Sequence, residues 1–344
     1  MPASVRRALR ELPTTLDDTY ERVLQEIPKE KWQHAHRLFQ CLVAAIRPLH
    51  VEELGEIFAI EFVRDIAPDL MEGWRPENAE EAVLSVCSTL IAVIEDSGSR
   101  IVHFSHFSVK EFLVSNRLRT SKVGNIRHYH ILLDAAHTIL ARACAATLLQ
   151  LDEKIDKNRL ATLPLAFYAA YHWVDHVKFG DLEPRIQDIM EHLFDPSRPY
   201  LAAWACWLCE VEESWFRPSF DTLSDRPPQP KGTALYYTVL CGFSGLAKHL
   251  VVAREDVNAK CGRHGSPLHA ASYVGQLDAI RVLLDHGADV NITKVNTQRT
   301  PLCSAYFGRK LEAMRLLLEH GADVDAHDEF FEPLLEDPSF FWKY

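Results

Sequence analysis

A sequence period of 33 or 34 residues constrains the fold of this chain more than any other feature. Leu235, Leu268 and Leu302 are spaced 33 and 34 residues apart. The same spacing separates the members of a second series, Val257, Val290 and Val324. A fixed period of this length indicates a repeat architecture, in which each unit buries its apolar face only against its neighbours.

Each period carries the same succession of turn, helix, second helix and extended finger. In the middle copy, the string S-P-L-H-A-A at 266–271 predicts a turn that enters a helix, and L-L-D-H-G-A-D-V-N at 283–291 predicts a helix end followed by the finger. A third copy covers 300–325, and a more divergent first copy covers 233–258. Spacing and turn together resemble the ankyrin repeat over residues 233–328. The resemblance implies a short protein-binding solenoid.

The fingers and the inner helix face are the surfaces that stacking leaves open, so they supply the candidate binding residues. Cations and amides on the fingers, together with aromatic side chains on the inner face, are typical of a protein-binding surface. The predicted partner-binding residues are Lys260, Arg263, His264, Tyr273, Lys294, Asn296, Gln298 and Tyr306. Tyr236, Ser272 and Phe307 are further inner-face candidates. An equal alternative is that the aromatic side chains only fill the stack. His269 is interpreted as a structural part of the turn.

Length and charge narrow the remaining choices. A chain of 344 residues exceeds the size at which a single core stops growing, so two or three domains are expected. A hydrophobic share of 47% with 25% charged residues is typical of a globular protein. The net charge of -11 argues against nucleic-acid binding, which requires a basic face.

The prediction of the cellular location uses two features that the sequence lacks, a membrane-spanning segment and a signal peptide. No apolar run is long enough to span a bilayer, and no apolar region follows the N-terminal arginines as in a signal peptide. The eight cysteines are scattered, most of them within apolar helical text, and are interpreted as reduced and buried. We therefore expect a cytoplasmic protein without cofactors.

Hydrophobic periodicity predicts a mainly α fold. Helical patterns at 32–46, 51–60 and 78–87 precede two β-branched runs, 90–94 and 100–104, which flank an E-D-S-G-S turn. Three helices followed by a β-hairpin predict a winged-helix domain. The predicted segments are an N-terminal helical segment at 1–30, a winged-helix-like domain at 31–125, a helical connector at 126–225, a Pro-rich linker at 226–232, and about three ankyrin repeats with a degenerate C-terminal end at 233–344.

Three strings in the N-terminal half resemble a known signalling family. They are L-P-T-T-L-D-D-T-Y-E-R-V-L at 12–24, R-P-L-H-V-E-E-L at 47–54 and V-H-F-S-H-F-S-V-K-E-F-L at 102–113. Each is similar to a segment that follows the nucleotide-binding core in fungal NACHT-type STAND NTPases. The resemblance spans about residues 9–118 and extends weakly over 126–208. It implies a regulatory or sensor portion that precedes an ankyrin array.

A nucleotide-binding core requires the string Gly-x-x-x-x-Gly-Lys-Ser/Thr, whose backbone amides, lysine and hydroxyl hold phosphate and Mg²⁺. That string does not occur in the sequence. The NTPase activity of the resembled family is therefore not carried over, and a non-enzymatic protein is expected. An NTPase core in cis or in trans is a possible partner, besides a protein that binds the repeats.

Other functional classes have weaker signals. His172 and His176 share a helical face at a metal-capable spacing, and Cys206 and Cys209 form a C-x-x-C pair, so a metal- or thiol-dependent enzyme is the alternative. DNA binding by the third helix of the winged helix is opposed by the acidic turn at 76–83. Near His103 and His106, Ser105 is predicted to be a helix N-cap rather than a nucleophile.

Overall fold

The computed structural model describes residues 15–62, 68–96, 98–151, 157–180, 182–205, 232–295 and 297–324. Contacts divide the chain into two units, one drawn from residues 1–150 and 158–186 and the other from 151–157 and 187–344. Several predictions concern residues outside the described ranges. These are Asn296, Cys206 with Cys209, most of the Pro-rich linker, and the degenerate end after residue 324.

In the described part of the first unit, residues 15–96 contain the α-helices α1 (Leu16–Glu26), α2 (Trp32–Ala44), α3 (Val51–Phe58) and α4 (Ala79–Cys87). The hydroxyl of Thr15 caps α1 by accepting a hydrogen bond from the Asp18 amide, and Asn78 caps α4 in the same way. Apolar residues at helical spacing, such as Leu38 and Phe39 of α2, are fully buried. The sequence pattern therefore located these helices, within a few residues at each end.

A β-hairpin follows α4, as predicted. Strand β4 (Ile91–Asp96) pairs antiparallel with β5 (Ser99–Phe104). The structure adds β1 (Leu49–His50), which pairs with the other edge of β5 and gives the strand order β1-β5-β4. A separate two-stranded ladder joins β2 (Ile60–Glu61) to β3 (Asp69–Leu70). Two-residue strands are too short to show alternation in a sequence, which explains why only the hairpin was predicted.

Further α-helices follow among the described residues: α5 (Phe107–Val114), α6 (Asn116–Thr120), α7 (Leu133–Leu148), α8 (Lys157–Ala161) and α9 (Ala166–Lys178). Helix α7 packs against both α2 and α9. Its alanines are buried, and such small side chains allow neighbouring helices to approach closely. The carboxylate of Glu56 is buried in this unit, where it accepts a hydrogen bond from the Leu165 amide at 2.8 Å and lies 3.4 Å from the Arg75 guanidinium.

The second unit contains α10 (Gln187–Leu193), a helical segment at 200–205, and three helix pairs. The pairs are α11 (Ala234–Cys241) with α12 (Ser244–Val252), α13 (Pro267–Val274) with α14 (Leu277–Asp285), and α15 (Pro301–Phe307) with α16 (Leu311–Glu319). First helices stack on first helices and second helices on second helices. Leu235, Leu268 and Leu302, which define the period, are buried in this stack.

Candidate functional site

The turn that opens each inner helix of the repeats is held by side-chain hydrogen bonds. Ser266 caps α13, and its hydroxyl accepts a hydrogen bond from the His269 amide. His269 Nε2 lies 2.9 Å from the carbonyl oxygen of Arg299, one repeat further along. Because a carbonyl only accepts, Nε2 carries the proton, and Nδ1 accepts from the Ser266 hydroxyl at 2.8 Å. Burial lowers the pKa of His269 to about 4, so the ring is neutral. This geometry matches the structural role predicted for His269.

Asparagines connect successive fingers. The side chain of Asn258 donates to the Gly287 carbonyl at 3.1 Å and accepts from the Asp289 amide at 2.8 Å. Asn291 makes the same two contacts one repeat later, with Gly321 and Asp323. The residues that recur in the D-V-N and D-V-D fingers therefore link the repeats to one another. The residues between each finger and the next helix differ from repeat to repeat, and they form a surface.

Several of those variable residues form a surface that we call the finger patch. It contains the cations Lys260, Arg263, Lys294 and Arg299 and the imidazole of His264. The Lys294 amide donates to the Arg299 carbonyl at 2.8 Å, and the Lys294 ammonium donates to the Arg263 carbonyl at 2.7 Å. The stem of Lys294 also packs on Gly265, where an added Cβ would meet it at 2.7 Å. The Lys294 side chain thus adds a link between two consecutive fingers, besides the link made by Asn258.

The positive charges of Arg263, Lys294 and Arg299 act on the titratable groups of the finger patch. Burial lowers the pKa of Lys294, and the positive charges of Arg299 and Arg263 lower it further. Burial is also the main cause of the pKa of about 4 at His264, with smaller effects from Arg263 and Lys294. A neutral His264 therefore lies among cations at neutral pH, and the site favours an anionic group.

Aromatic rings border the finger patch. The ring of Tyr273 is 42% exposed, and its centroid lies 4.6 Å from that of His264. The Arg299 guanidinium stacks 4.6 Å from the centroid of Phe307, which is itself exposed. An arginine over an aromatic face keeps its charge while it covers apolar surface. The patch therefore has both cationic and apolar binding groups.

The predicted binding residues lie in different parts of this surface. Arg263, His264, Lys294 and Tyr273 are brought together, whereas Lys260 and Gln298 are exposed on the fingers and Tyr306 is half-buried beside Phe307. Two inner-face candidates are instead buried and cannot contact a partner: Tyr236 accepts from the His264 amide at 3.3 Å, and Ser272 donates to the Leu268 carbonyl at 2.6 Å. Their exposure was predicted wrongly because each side chain bonds within the stack.

Arg299 is the residue that the sequence-based prediction missed. It directly precedes the T-P-L turn of the third repeat, at the end of a finger. Side chains at such a position are expected to stabilise the turn rather than to contact a partner. A usable signal was the excess of cations in this part of the sequence, since residues 290–310 contain no Asp or Glu.

The two histidines proposed as metal ligands are occupied by other contacts. His176 Nε2 lies 2.8 Å from the Tyr168 hydroxyl, and His176 Nδ1 lies 2.9 Å from His137 Nδ1. Burial lowers the pKa of His176 to about 3. His172 lies 3.6 Å from the Asp175 carboxylate. Within the described ranges, no group of three or more His, Cys, Asp or Glu side chains is arranged to hold a metal ion. The arrangement does not favour the enzymatic alternative.

The serine and histidines after the hairpin form a helix cap. The predicted cap, Ser105, is wrong: its hydroxyl donates to the Thr89 carbonyl at 3.0 Å, and His106 caps α5 by accepting from the Ser108 amide. The Ser108 hydroxyl lies 2.6 Å from His106 Nδ1 and 2.7 Å from the Tyr20 hydroxyl. These bonds fix the start of α5 against α1.

Two acidic side chains contact Arg100, a cation on strand β5 of the winged helix. Arg100 on β5 contacts Glu52 of α3 at 2.7 Å and Glu80 of α4 at 2.6 Å. A phosphate backbone would have to compete with both carboxylates for this guanidinium. The geometry therefore agrees with the electrostatic argument against DNA binding through α4.

Two segments of the chain match known protein families. Residues 20–123 match the family described as "GPI inositol-deacylase, winged helix domain", and residues 231–328 match three copies of ankyrin repeats. The chain contains a winged-helix domain and ankyrin repeats. The predicted fold class is thus confirmed, and the winged-helix family is one associated with NACHT proteins.

A similar protein occurs in a fungus. The chain is 29% identical over 297 residues to "Azaphilone pigments biosynthesis cluster protein L" of Monascus ruber. The alignment covers 82% of this chain, and the chain spans about 61% of the length of that relative. Among the helices that the structure describes, none is both long enough and apolar enough to cross a membrane.

Proposed function

We propose that this chain is the regulatory and interaction portion of a NACHT-type signalling protein and catalyses no reaction itself. The ankyrin repeats bind a protein partner through the finger patch and the aromatic rings beside it. The observation that carries this proposal is the cluster formed by Arg263, His264 and Lys294, which lies next to exposed Tyr273. Aromatic residues and arginine are enriched where proteins bind one another.

The winged helix and its packed helices have a different role in this proposal. They form the module against which an NTPase core, in cis or in trans, is regulated. Support comes from the order of the two matched families and from the three strings that resemble NACHT proteins. The proposed location is the cytoplasm, and the proposed boundary of the repeat region is residue 233.

Crosslinking of the tagged full chain in a filamentous fungus tests the interaction. A lysine-reactive crosslinker reaches Lys260 and Lys294 on the finger patch, and Lys248 on α12 serves as an internal comparison. We expect a specific co-purifying protein whose crosslinks concentrate on Lys260 and Lys294. Tyr273→Ala should reduce its recovery, because this ring is exposed at the surface. Absence of any specific partner, or crosslinks confined to residues 15–205, would refute the proposal.

Mapping the 5′ end of the transcript distinguishes the two arrangements with an NTPase core. A message that continues upstream into a phosphate-binding string supports a core in cis. A message that starts at Met1 requires the core in trans, which must then appear among the crosslinked proteins. If the message contains no phosphate-binding string and no NTPase core is found among the crosslinked proteins, the NACHT assignment is wrong. The repeats would then be an independent binding module.

A further inference from the structure

The charge of the repeat region is opposite in sign to that of the whole chain. Residues 232–324 contain ten Lys and Arg against eight Asp and Glu, a formal charge of +2, whereas the full chain carries -11. The contrast is sharper in the segments that enter the inner helices. Residues 259–275 and 290–310 contain six Lys and Arg and no Asp or Glu. The positive charge is therefore concentrated beside the fingers.

Several acidic side chains of the repeats are bound within their own elements. Asp289 accepts from the Asn291 amide at 2.9 Å in the finger turn, and Asp256 accepts from the Asn258 amide in the same way. On the outer helices, Asp278 pairs with Arg281 and Glu312 pairs with Arg315, each pair three residues apart. These contacts keep the four carboxylates in local turns and helix surfaces. The electrostatic field of the finger patch is thus set mainly by its cations.

Two cations of the finger patch, Lys294 and Arg299, are also held in position. The Lys294 stem lies on Gly265 and its ammonium is fixed by one bond to the Arg263 carbonyl, although an ammonium has three donors. The Arg299 carbonyl accepts from both the Lys294 amide and His269, and the Arg299 guanidinium rests on Phe307. Side chains that are ordered before binding lose less conformational entropy when a ligand arrives.

We propose that the finger patch binds an acidic peptide segment of a protein partner, with Asp or Glu carboxylates placed on Lys294, Arg263 and Lys260 and neighbouring apolar side chains packed on Tyr273 and Phe307. This inference rests on the proposed function, because it names the chemistry of the protein that the repeats bind. Charge complementarity selects the occupant: a cationic surface bordered by aromatic rings matches a segment that alternates acidic and apolar residues.

A peptide fits the surface better than a nucleic acid does. Outside residues 232–324 the chain has a net charge of -13, the difference between -11 for the full chain and +2 for the repeats, and this charge would repel a long polyanion. The patch contains four cations on two consecutive fingers, fewer than the about six to ten phosphate contacts of a protein that binds duplex DNA with a strong salt dependence. A short acidic segment needs only a few carboxylates to match the cations of these two fingers.

The test uses the full chain and fluorescence anisotropy with a labelled probe of about 12 residues that alternates Asp or Glu with Leu and Tyr, a length that spans about 40 Å when extended. A matched peptide with Asn and Gln in place of the acids has the same apolar groups. We expect the acidic probe to bind at least about tenfold more tightly than the amide probe, and to weaken as salt rises because screening reduces the attraction.

Two pairs of variants locate the binding. Lys260→Glu with Arg263→Glu reverses two exposed finger charges, and Arg281→Glu with Arg315→Glu makes the same change in net charge on the outer helices. The finger variant should lose binding about tenfold or more, while the outer-helix variant should lose clearly less, since exposed charges act mainly over a Debye length. Circular dichroism shows whether the double charge reversal on the fingers perturbs folding. If it does, Lys294→Gln, which removes a single charge, provides the test and should also weaken binding of the acidic probe.

Several results would overturn the inference: equal affinity for the acidic and amide probes, equal losses for the finger and outer-helix variants, or tighter binding of a single-stranded RNA of matched charge. The proposed function fails separately. If crosslinking recovers a partner on the fingers and its binding is insensitive to salt and to the finger variant, the repeats bind a protein and only the acidic chemistry is wrong.

Discussion

Protonation of His269 should unfold the repeats locally at mildly acidic pH. The ring is fully buried, and as the neutral Nε2–H tautomer it bonds Ser266 on one side and Arg299 on the other. Adding a proton to Nδ1 would turn the acceptor of the Ser266 hydroxyl into a second donor and would place a charge inside the stack. The perturbation is therefore a decrease in pH, with His269→Gln as the variant that cannot titrate.

The expected magnitude follows from the pKa difference between the folded and unfolded states. The folded pKa of His269 is about 4, against an ordinary value of 6.5. Between these values the unfolded chain binds more protons, so stability is complete above pH 6.5 and decreases as the pH falls toward 4. Linkage gives a loss of about 2 kcal/mol in the free energy of unfolding between about pH 7.5 and about pH 5.

Hydrogen exchange followed by mass spectrometry can measure this loss on peptides from α13 and α15, after correction for the pH dependence of intrinsic exchange. His269→Gln should be less stable than the wild type at about pH 7.5, by about 1–3 kcal/mol for imperfectly replaced buried hydrogen bonds. Between about pH 7.5 and about pH 5, the free energy of unfolding should decrease by about 2 kcal/mol less in the variant than in the wild type. Equal losses in both proteins would refute the assignment of a neutral, buried His269.

Three further substitutions and one control substitution test the packing of both units by urea unfolding. Gly308→Ala should destabilise the repeats by about 1–3 kcal/mol, because its Cβ would overlap the Tyr273 carbonyl oxygen, whereas Gly73→Ala, with nothing near its Cβ, should not destabilise. Asn291→Ala removes both side-chain bonds to the next finger and should cost about 1–2 kcal/mol; an unchanged midpoint would show that the finger ladder adds no stability. Tyr168→Phe leaves the His176 ring and the Ile46 amide without their shared hydroxyl, and a loss below about 0.5 kcal/mol would contradict the importance of that buried bond.

Helices and repeats were predictable because their signals are local and periodic. A repeat spacing of 33 or 34 residues, glycine after the second helix and the apolar stripes of α1 and α2 all lie within short windows of the sequence. Strands β1, β2 and β3 were not predictable, since each contains two residues and depends on a partner elsewhere in the chain. The helix cap predicted at Ser105 lies one residue later, at His106, because neighbouring polar side chains compete for the same amides.

The sequence by itself determined that this chain contains a mainly helical fold, a winged helix and a short ankyrin array, because each rests on periodic burial or on local turn chemistry. Only the tertiary structure decided which candidate residues form a common surface. In the structure Lys294 is bonded to Arg263, Arg299 belongs to the finger patch, and Tyr236 is buried. These contacts depend on how one repeat packs against the next. A period specifies which residues are equivalent, whereas contacts across the stack specify which of them remain available to a partner.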